Sequence, residues 1–261
     1  MNIRYLEQDW QIVVVATTCA VADLRATLAE LSGKSLGADI RVMASERDDL
    51  RAFLGETDYP ATFGLPETLQ PGHYWSTVLA DLDYSRQRTI LVQAGVHVPD
   101  KWDARLVAVG QRAQGAWAVA PLCAKHPLLS AFYDAGHAPG LPVEAVDQWL
   151  NDYVEGTEFE VPVMLESCLL LQGPEWKQLG GAENDRQLME RIRLRGGWLV
   201  ATDQVYVDDS ALPGDSDISW LPQAYLNAFR GRHPLTATRH ALMELSGRHE
   251  APRVMRTCLP V

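Results

Sequence analysis

The acidic residues around position 184 are the main candidates for acid–base chemistry in the sequence. Glu183 and Asp185 flank Asn184 and precede an apolar helical pattern that starts at Leu188. A carboxylate at the entrance of such a helix can act as a general base, because ligands of open α/β sheets bind beyond the carboxyl ends of the strands. Asn184 can equally cap the helix, with Gln187 reaching back, and the helix dipole favours acidic groups there. The residues alone leave both interpretations open.

The triplet Gly33, Lys34 and Ser35 matches the end of a phosphate-binding loop. That loop also needs a glycine five positions before Gly33, where this chain has Leu28. The triplet follows a helical pattern, whereas a phosphate loop connects a strand to the helix that it opens. We therefore interpret it as the end of a helix.

Other residues have the side chains for chemistry but a simpler structural interpretation. Asp208 and Asp209 belong to a polar segment that is typical of an exposed turn, and His97, between two valines, is expected to be a surface or partly buried side chain. The arginine-rich segment 186–195 is expected to be a solvated helix surface or a contact with a partner. Four tryptophans that could stack on sugars lie on apolar helical faces or turns and are expected in the core: Trp75, Trp102, Trp149 and Trp176.

The elements that would position these residues follow an α/β pattern. Residues 11–16 include four consecutive apolar side chains, as expected for a strand that is buried on both faces. A helical pattern follows over residues 21–33, and a second strand over 40–43. This order predicts a βαβ unit and a three-layer sandwich around a mostly parallel sheet.

Further elements are predicted along the rest of the chain. Apolar runs or strands are expected at 89–93, 117–122, 161–171, 198–202 and 205–207, and helices at 48–54, 74–82, from about 99, 141–154, 183–195, 221–229 and 234–246. Residues 59–72 contain three prolines and are predicted to be mostly loop.

The composition is that of a globular protein, and 261 residues suffice for one α/β domain with a short appendage. Acidic residues outnumber basic ones by 34 to 23, and the net charge of -11 would repel a nucleic-acid backbone, although a single nucleotide remains compatible.

No stretch approaches the roughly 20 apolar residues of a membrane span, and residues 1–10 do not resemble a signal peptide. The cysteines have no paired spacing, so reduced thiols in the cytosol are expected: Cys19, Cys123, Cys168 and Cys258.

Three segments resemble glycosyltransferases of family 2, which have the GT-A fold. Residues 89–106 (TILVQAGVHVPDKWDARL) resemble the strand that ends at an acidic metal site and the helix after it. Residues 161–181 (VPVMLESCLLLQGPEWKQLGG) are similar to the acceptor-side strand and its turn. Residues 182–198 (AENDRQLMERIRLRGGW) resemble the helix that opens with the Glu/Asp catalytic pair. The order of these segments is preserved over residues 11–209.

The resemblance implies a GT-A fold, also described as nucleotide-diphospho-sugar transferase-like, and a nucleoside-diphosphate sugar as donor. It implies an inverting displacement, in which a carboxylate deprotonates an acceptor hydroxyl as it attacks the anomeric carbon. Glu183 occupies the position of the base, and Asp185 the next acidic position, which orients the acceptor or the base. The acceptor would be a glycan of the surface polysaccharide or O-antigen type. The donor-binding positions are Gln93, Ala94, Gly95 and Thr17.

The chain departs from the family pattern at the metal site. Family members carry an Asp-x-Asp or Asn-x-Asp pair for Mg²⁺ or Mn²⁺ where this chain has Gln93, Ala94 and Gly95, and an amide is a poor ligand for a hard cation. Either another group neutralises the diphosphate, or the domain is a non-catalytic scaffold or acceptor-binding module of a larger glycosyltransferase. An α/β nucleotidyltransferase is a third alternative, but it would need metal carboxylates even more. Candidates for the neutralising group are Arg47, Lys101 and a metal ion on Asp208 and Asp209.

We expect a GT-A-like domain over residues 1–219 and a C-terminal helical extension or linker over residues 220–261. The apolar tail that ends at Val261 suggests that the native chain continues into a second glycosyltransferase domain. The expected location is cytoplasmic, with peripheral association with the inner face of the membrane as an alternative.

Overall fold

The computed structural model of the chain is an α/β structure with eight strands and six α-helices over the residues that it describes. These residues are 9–36, 39–70, 72–82, 86–126, 129, 141–153, 156, 158–162, 164–179 and 182–212. The strands are β1 (Trp10–Ala16), β2 (Asp39–Ser45), β3 (Ala61–Leu65), β4 (Arg88–Gln93), β5 (Ala116–Leu122), β6 (Glu158–Val161), β7 (Cys168–Gln172) and β8 (Trp198–Tyr206). The helices are α1 (Val21–Lys34), α2 (Asp48–Gly55), α3 (Tyr74–Ala80), α4 (Trp102–Arg112), α5 (Val143–Tyr153) and α6 (Asp185–Leu194), with a 3₁₀ helix at Pro174–Leu179.

All eight strands form one sheet in the order β3-β2-β1-β4-β7-β5-β8-β6. Six strands share one direction, whereas β7 runs antiparallel to β4 and β5, and β6 runs antiparallel to β8. The predicted mostly parallel sheet is therefore confirmed for six of the eight strands, and the sheet is mixed. The antiparallel strand β7 lies in the centre of the sheet. Because β4 and β5 both run antiparallel to β7, they run parallel to each other, and their carboxyl ends lie at the same edge of the sheet.

The centre of the sheet is covered on both faces. All seven residues of β1 are buried, and so are the four central residues of β4. Since successive side chains of a strand point to opposite faces, burial of consecutive residues requires helices on each side. This is the three-layer arrangement that the continuous apolar run at 12–15 predicted.

The chain reverses its course across the sheet next to β1. It passes from β1 to β2 and β3 on one side, and then returns to β4 on the other side of β1. Such a reversal of strand order opens a crevice beyond the carboxyl ends of the two strands, because their connections leave in opposite directions. The end of β1 at Ala16 and the end of β4 at Gln93 border this crevice.

The start of α4 is fastened to the neighbouring elements. Asp103 is buried, and its carboxylate accepts hydrogen bonds from the indole of Trp10 (3.2 Å) and the backbone N–H of Leu36 (3.0 Å). Burial raises the pKa of Asp103, and these hydrogen bonds act in the opposite direction. The backbone N–H of Lys101 donates to the carbonyl of Lys34 (2.8 Å). These contacts hold the return segment between β4 and α4 against the end of α1.

One prediction of secondary structure is wrong, and another is incomplete. Residues 161–171 do not form one strand: β6 ends at Val161 on the edge of the sheet, and β7 begins at Cys168 in its centre. Pro162, which has no backbone N–H for a ladder, follows β6 directly. Residues 59–72 lie mostly outside helices and strands where the structure describes them, as predicted, but they also contain the short edge strand β3, with Pro60 and Pro66 directly outside it.

The predicted end of the chain lies outside the described residues. This applies to residues 213–261, and thus to the C-terminal extension at 220–261, its two predicted helices and Cys258. Within the described part, no helix combines the length and apolar character that crossing a membrane requires. The predicted free thiols are found at Cys19, Cys123 and Cys168.

Candidate functional site

A cavity of about 200 Å³ lies at the carboxyl ends of β1 and β4, in the crevice where the strand order reverses. Its walls come from the ends of the two strands, the first half of α1 and the segment after β8. The four predicted donor-binding residues, Thr17, Gln93, Ala94 and Gly95, all line it. The other lining residues are Val15, Thr18, Cys19, Asp23, Ala26, Thr27, His97, Ala211 and Leu212.

The loop between β1 and α1 is held by Arg47. Its guanidinium donates to the carbonyls of Cys19 (2.8 Å) and Thr17 (3.2 Å) and forms an ion pair with Asp49 (2.5 Å). The hydrogen bond to Asp49 raises the pKa of Arg47. Arg47 therefore shapes the loop from outside and does not line the cavity. Lys101, the other predicted cation, is exposed and also lies outside the lining residues.

The turn after β4 requires a glycine. Gly95 has φ +101°, a conformation that residues with a side chain rarely adopt, and a Cβ there would lie 3.1 Å from Leu212 Cδ2. Its N–H donates to the hydroxyl of Thr27 (2.8 Å), which in turn donates to the carbonyl of Asp23 (2.9 Å). The turn is thereby tied to α1 across the cavity. Sequence reasoning missed Thr27, although a threonine between Leu24 and Leu28 on the apolar face of α1 is a visible signal.

His97 lies on the rim of the cavity, with 51% of its side chain exposed. Its backbone N–H and carbonyl both bond to the backbone of Asp208, each at 2.9 Å. Its Nδ1 lies 2.8 Å from Glu30 Oε2. The sequence predicted a surface or partly buried histidine, and the contact with a carboxylate of α1 could not be read from the pattern.

Glu30 and Lys34 connect this rim to α5. The Oε1 atom of Glu30 accepts hydrogen bonds from the Lys34 ammonium (2.6 Å) and the Val98 N–H (3.1 Å), and Lys34 also binds Glu144 (2.5 Å). Burial opposes the charge of Lys34, but its two carboxylate partners outweigh this effect, so its pKa is raised. The hydrogen bond from Lys34 lowers the pKa of Glu144. Lys34 thus serves a structural network at the end of α1, where the Gly33, Lys34 and Ser35 triplet was interpreted as a helix end.

The two candidate metal ligands after β8 have other partners. Asp209 is buried, and its Oδ1 accepts hydrogen bonds from the backbone N–H groups of Ala124 (2.9 Å) and Lys125 (2.8 Å). Burial raises its pKa, and these hydrogen bonds together with Ser167 partly offset the effect. Asp208 Oδ1 accepts from the N–H of Ser210 (2.9 Å). Within the described residues, no group of three or more His, Cys, Asp or Glu side chains is arranged to hold a metal ion.

The lining of the cavity does not fit a hard divalent cation such as Mg²⁺ or Mn²⁺. These ions need several oxygen ligands, preferably anionic ones. Asp23 is the only carboxylate among the described lining residues, and its Oδ2 accepts the Ala20 N–H at 3.3 Å. At the position of the acidic pair, Gln93 offers one amide oxygen and Gly95 none from a side chain.

Glu183 stands at the start of α6, where the predicted capping is confirmed. The side chain of Asn184 accepts the N–H of Gln187 (2.9 Å), and the side chain of Gln187 accepts the N–H of Glu183 (2.8 Å). This reciprocal pattern satisfies two backbone donors at the helix entrance. Glu183 itself is exposed and is not among the residues that line the cavity.

Asp185 is buried, with 9% of the residue exposed, and it joins α6 to α3. Its Oδ1 accepts the Ser76 N–H (2.8 Å), and its own N–H donates to the carbonyl of Gly72 (2.7 Å). Burial raises the pKa of Asp185, and the hydrogen bonds from Ser76 and Trp75 work against this effect. The carboxylate is therefore engaged in holding the first turn of α3.

The segment that precedes β7 is bonded to the end of β4. The N–H of Gln93 donates to the carbonyl of Ser167 (2.9 Å), and Glu166 precedes Ser167 in the chain. Burial raises the pKa of Tyr74, and the charges of Glu166 and Asp185 raise it further. Glu166 is a half-buried carboxylate that sequence reasoning missed, because it lay within a predicted strand.

Comparisons with known proteins find likeness in structure only. No family model matches the chain, and no curated protein matches it significantly. It is similar to the structure of GalNAc-T7 with UDP, GalNAc and Mn²⁺ (TM-score 0.54, 14% identity, 77% of this chain and 43% of that one). It is also similar to the mannosyltransferase PcManGT from Pyrobaculum calidifontis in complex with GDP-Man and Mn²⁺ (TM-score 0.53, 15% identity, 95% of this chain and 72% of that one).

The fold of this chain is therefore that of the GT-A glycosyltransferases, as the resemblance implied. The chain spans less than half the length of the GalNAc-T7 chain and about three quarters of the mannosyltransferase. The placement in family 2 remains a resemblance in sequence pattern.

Proposed function

We propose that this chain binds a nucleoside-diphosphate sugar in the cavity at the ends of β1 and β4 and transfers the sugar to a glycan. One observation carries the proposal: the four residues expected to bind the donor come from two separate segments, Thr17 after β1 and residues 93–95 at the end of β4, and both segments line one cavity at the switch point of a GT-A fold. Switch-point crevices are the usual ligand sites of open α/β sheets.

The lining offers suitable groups for the polar parts of a nucleotide. The hydroxyls of Thr17 and Thr18 and the amide of Gln93 can donate to and accept from ribose or phosphate oxygens. The carboxylate of Asp23 accepts hydrogen bonds and therefore suits a hydroxyl or a ring N–H, whereas it would repel phosphate. A volume of about 200 Å³ accommodates only part of such a donor, so the sugar would extend toward α6.

In the proposed reaction, the oxygen of an acceptor hydroxyl attacks the anomeric carbon while the bond to the diphosphate oxygen breaks. The diphosphate leaves with the bonding electrons, a carboxylate takes the hydroxyl proton, and the configuration at the anomeric carbon inverts. We assign the base to Glu183, whose exposed side chain is accessible to an acceptor. We assign to Asp185 the role of orienting the acceptor or Glu183, because the carboxylate of Asp185 already accepts a hydrogen bond from the Ser76 N–H.

Calorimetry with UDP, GDP, dTDP and ADP tests donor binding, and release of nucleoside diphosphate with a panel of oligosaccharide acceptors tests transfer. We expect one nucleotide to bind and Glu183→Gln to abolish transfer while leaving nucleotide affinity unchanged. Glu190→Gln is the matched control, since it neutralises an exposed carboxylate on the same helix. A transfer rate in Glu183→Gln equal to that of the control would reject the assigned base.

A non-catalytic GT-A-like module that positions an acceptor for another domain is the competing proposal. It is favoured by the poor fit of the cavity to a divalent cation and by the position of Glu183 outside the cavity. Tight binding of any nucleoside diphosphate would count against this alternative. A nucleotidyltransferase is disfavoured, because the described lining of the cavity contains one carboxylate, Asp23, and not the set that its metal ions need.

The acceptor and the cellular setting belong to the same proposal. A surface polysaccharide or O-antigen-type glycan as acceptor follows the family resemblance. A second glycosyltransferase domain beyond Val261 and a cytoplasmic location, with peripheral association with the inner face of the membrane as the alternative, are proposed with it. The mass of the intact native protein tests the second domain. An array of bacterial glycans tests the acceptor, and binding to no member of the array would argue against it.

A further inference from the structure

The charge of a diphosphate poses a specific problem for this cavity. A donor diphosphate brings two negative charges, and the described lining contributes a further one from Asp23. The two predicted cations are not among the residues that line the cavity. The guanidinium of Arg47 is bonded to the carbonyl of Cys19 in the loop between β1 and α1, and Lys101 lies outside the cavity wall. Among the described lining residues, His97 is the only one whose side chain can be positively charged.

The contacts of His97 define which proton its ring carries. A carboxylate only accepts hydrogen bonds, so the 2.8 Å contact with Glu30 requires the proton on Nδ1. A second hydrogen bond from Nε2 to a phosphate oxygen then requires a proton on that nitrogen too. His97 can therefore bind an anion only as an imidazolium, which has both the charge and the donor that a phosphate needs.

The surroundings hold this imidazolium in place. Backbone bonds to Asp208 fix the main chain of His97 on both sides. Glu30 has only 15% of its side chain exposed and is itself fixed by Lys34 and Val98. Glu144, on α5, adds a negative charge that interacts with His97. These contacts hold the imidazole of His97 in a preorganised position beside the cavity, without the reorganisation that a long flexible side chain would need.

We infer that the site binds the diphosphate of its donor without a divalent cation, and that the imidazolium of His97, held by Glu30, supplies the positive charge. This inference rests on the proposed function. During transfer, the oxygen that leaves the anomeric carbon gains the electron pair of the broken bond, and the Nε2–H of His97 stabilises the resulting charge on the diphosphate.

Calorimetry with the nucleoside diphosphate that binds most tightly tests the inference, once with EDTA and once with Mn²⁺. We expect affinities within about twofold of each other in the native chain, and a loss of about 10- to 100-fold in His97→Gln, as for removal of a charge-assisted hydrogen bond. Glu30→Gln should also weaken binding. Arg86→Gln is the control, because it removes an exposed positive charge beside Asp39, at the start of β2 and away from the cavity.

The charge of the probe distinguishes this role from a structural one. His97→Gln should weaken binding of a nucleoside-diphosphate sugar but leave binding of the matching uncharged nucleoside unchanged, because the nucleoside has no phosphate for the imidazolium to bind. Binding that requires Mn²⁺, or equal affinities of His97→Gln and Arg86→Gln, would overturn the inference and leave the proposed function standing. Failure of the native chain to bind any nucleotide would instead reject the proposed function.

Discussion

Replacement of the buried His126 should remove a large acid sensitivity of the fold. His126 follows β5 and is 2% exposed. Its Nδ1 accepts the N–H of Leu129 at 3.3 Å, so the ring is neutral with its proton on Nε2. Burial lowers the pKa of His126 from 6.5 to about 3. In the unfolded chain the same side chain is solvated and protonates near its ordinary value.

The sign and size of the effect follow from this difference. Because the unfolded chain binds the proton at higher pH than the folded one, stability from this group is fully present above about pH 6.5 and is lost as the pH falls toward about 3. At 1.36 kcal/mol per pKa unit, the complete loss corresponds to roughly 5 kcal/mol. Between about pH 7 and about pH 4.5, the expected loss is roughly 2.5 kcal/mol.

Urea unfolding of the native chain and of His126→Asn, measured at several pH values over this range, checks the prediction. Asparagine retains an acceptor for the Leu129 N–H but does not titrate. Carboxylates titrate in both proteins, so the difference between the two pH profiles isolates His126. We expect the native chain to lose roughly 2.5 kcal/mol more than the variant on acidification. Parallel profiles would refute the reasoning, whatever the stability of the variant at neutral pH.

Three further substitutions test the structural account of the site. Gly95→Ala places a Cβ at φ +101° and 3.1 Å from Leu212, so the unfolding free energy should fall by about 1–2 kcal/mol and calorimetry should show weaker nucleotide binding. Asp209→Ala leaves the N–H groups of Ala124, which is buried, and of Lys125, which is partly buried, without this acceptor and should cost about 2–5 kcal/mol in urea unfolding, whereas Asp209→Asn, which keeps an acceptor, should cost less. Asn184→Ala removes the cap of α6 and should cost about 1 kcal/mol in thermal unfolding; an unchanged melting temperature would contradict the capping role.

Much of the fold could be predicted where local pattern and tertiary burial agree. The run at 12–15 predicts a strand that is buried on both faces, and it forms the interior strand β1. The edge strand β3 was missed because half-exposed edge positions carry a weak apolar signal. The segment 161–171 was read as one strand because apolar composition does not reveal that an edge strand ends at Val161 and a central one begins at Cys168.

The site could be predicted only in part. The convergence of Thr17 with Gln93 and its neighbours follows from the family resemblance and from the rule that parallel strands end at one edge. The pairing of His97 with Glu30 depends on how α1 passes over the turn after β4, and residues 67 positions apart give no local signal of such a contact. The capping of α6 was predictable, because it involves neighbours within four residues.

A crystal structure of the chain with its tightest-binding nucleoside diphosphate tests the central claim most directly. The account predicts that the nucleotide occupies the cavity between the ends of β1 and β4, in contact with Thr17 and Gln93, and that a phosphate oxygen lies within hydrogen-bond distance of His97. A nucleotide bound elsewhere on the molecule, with this cavity empty at saturating concentration, would contradict it.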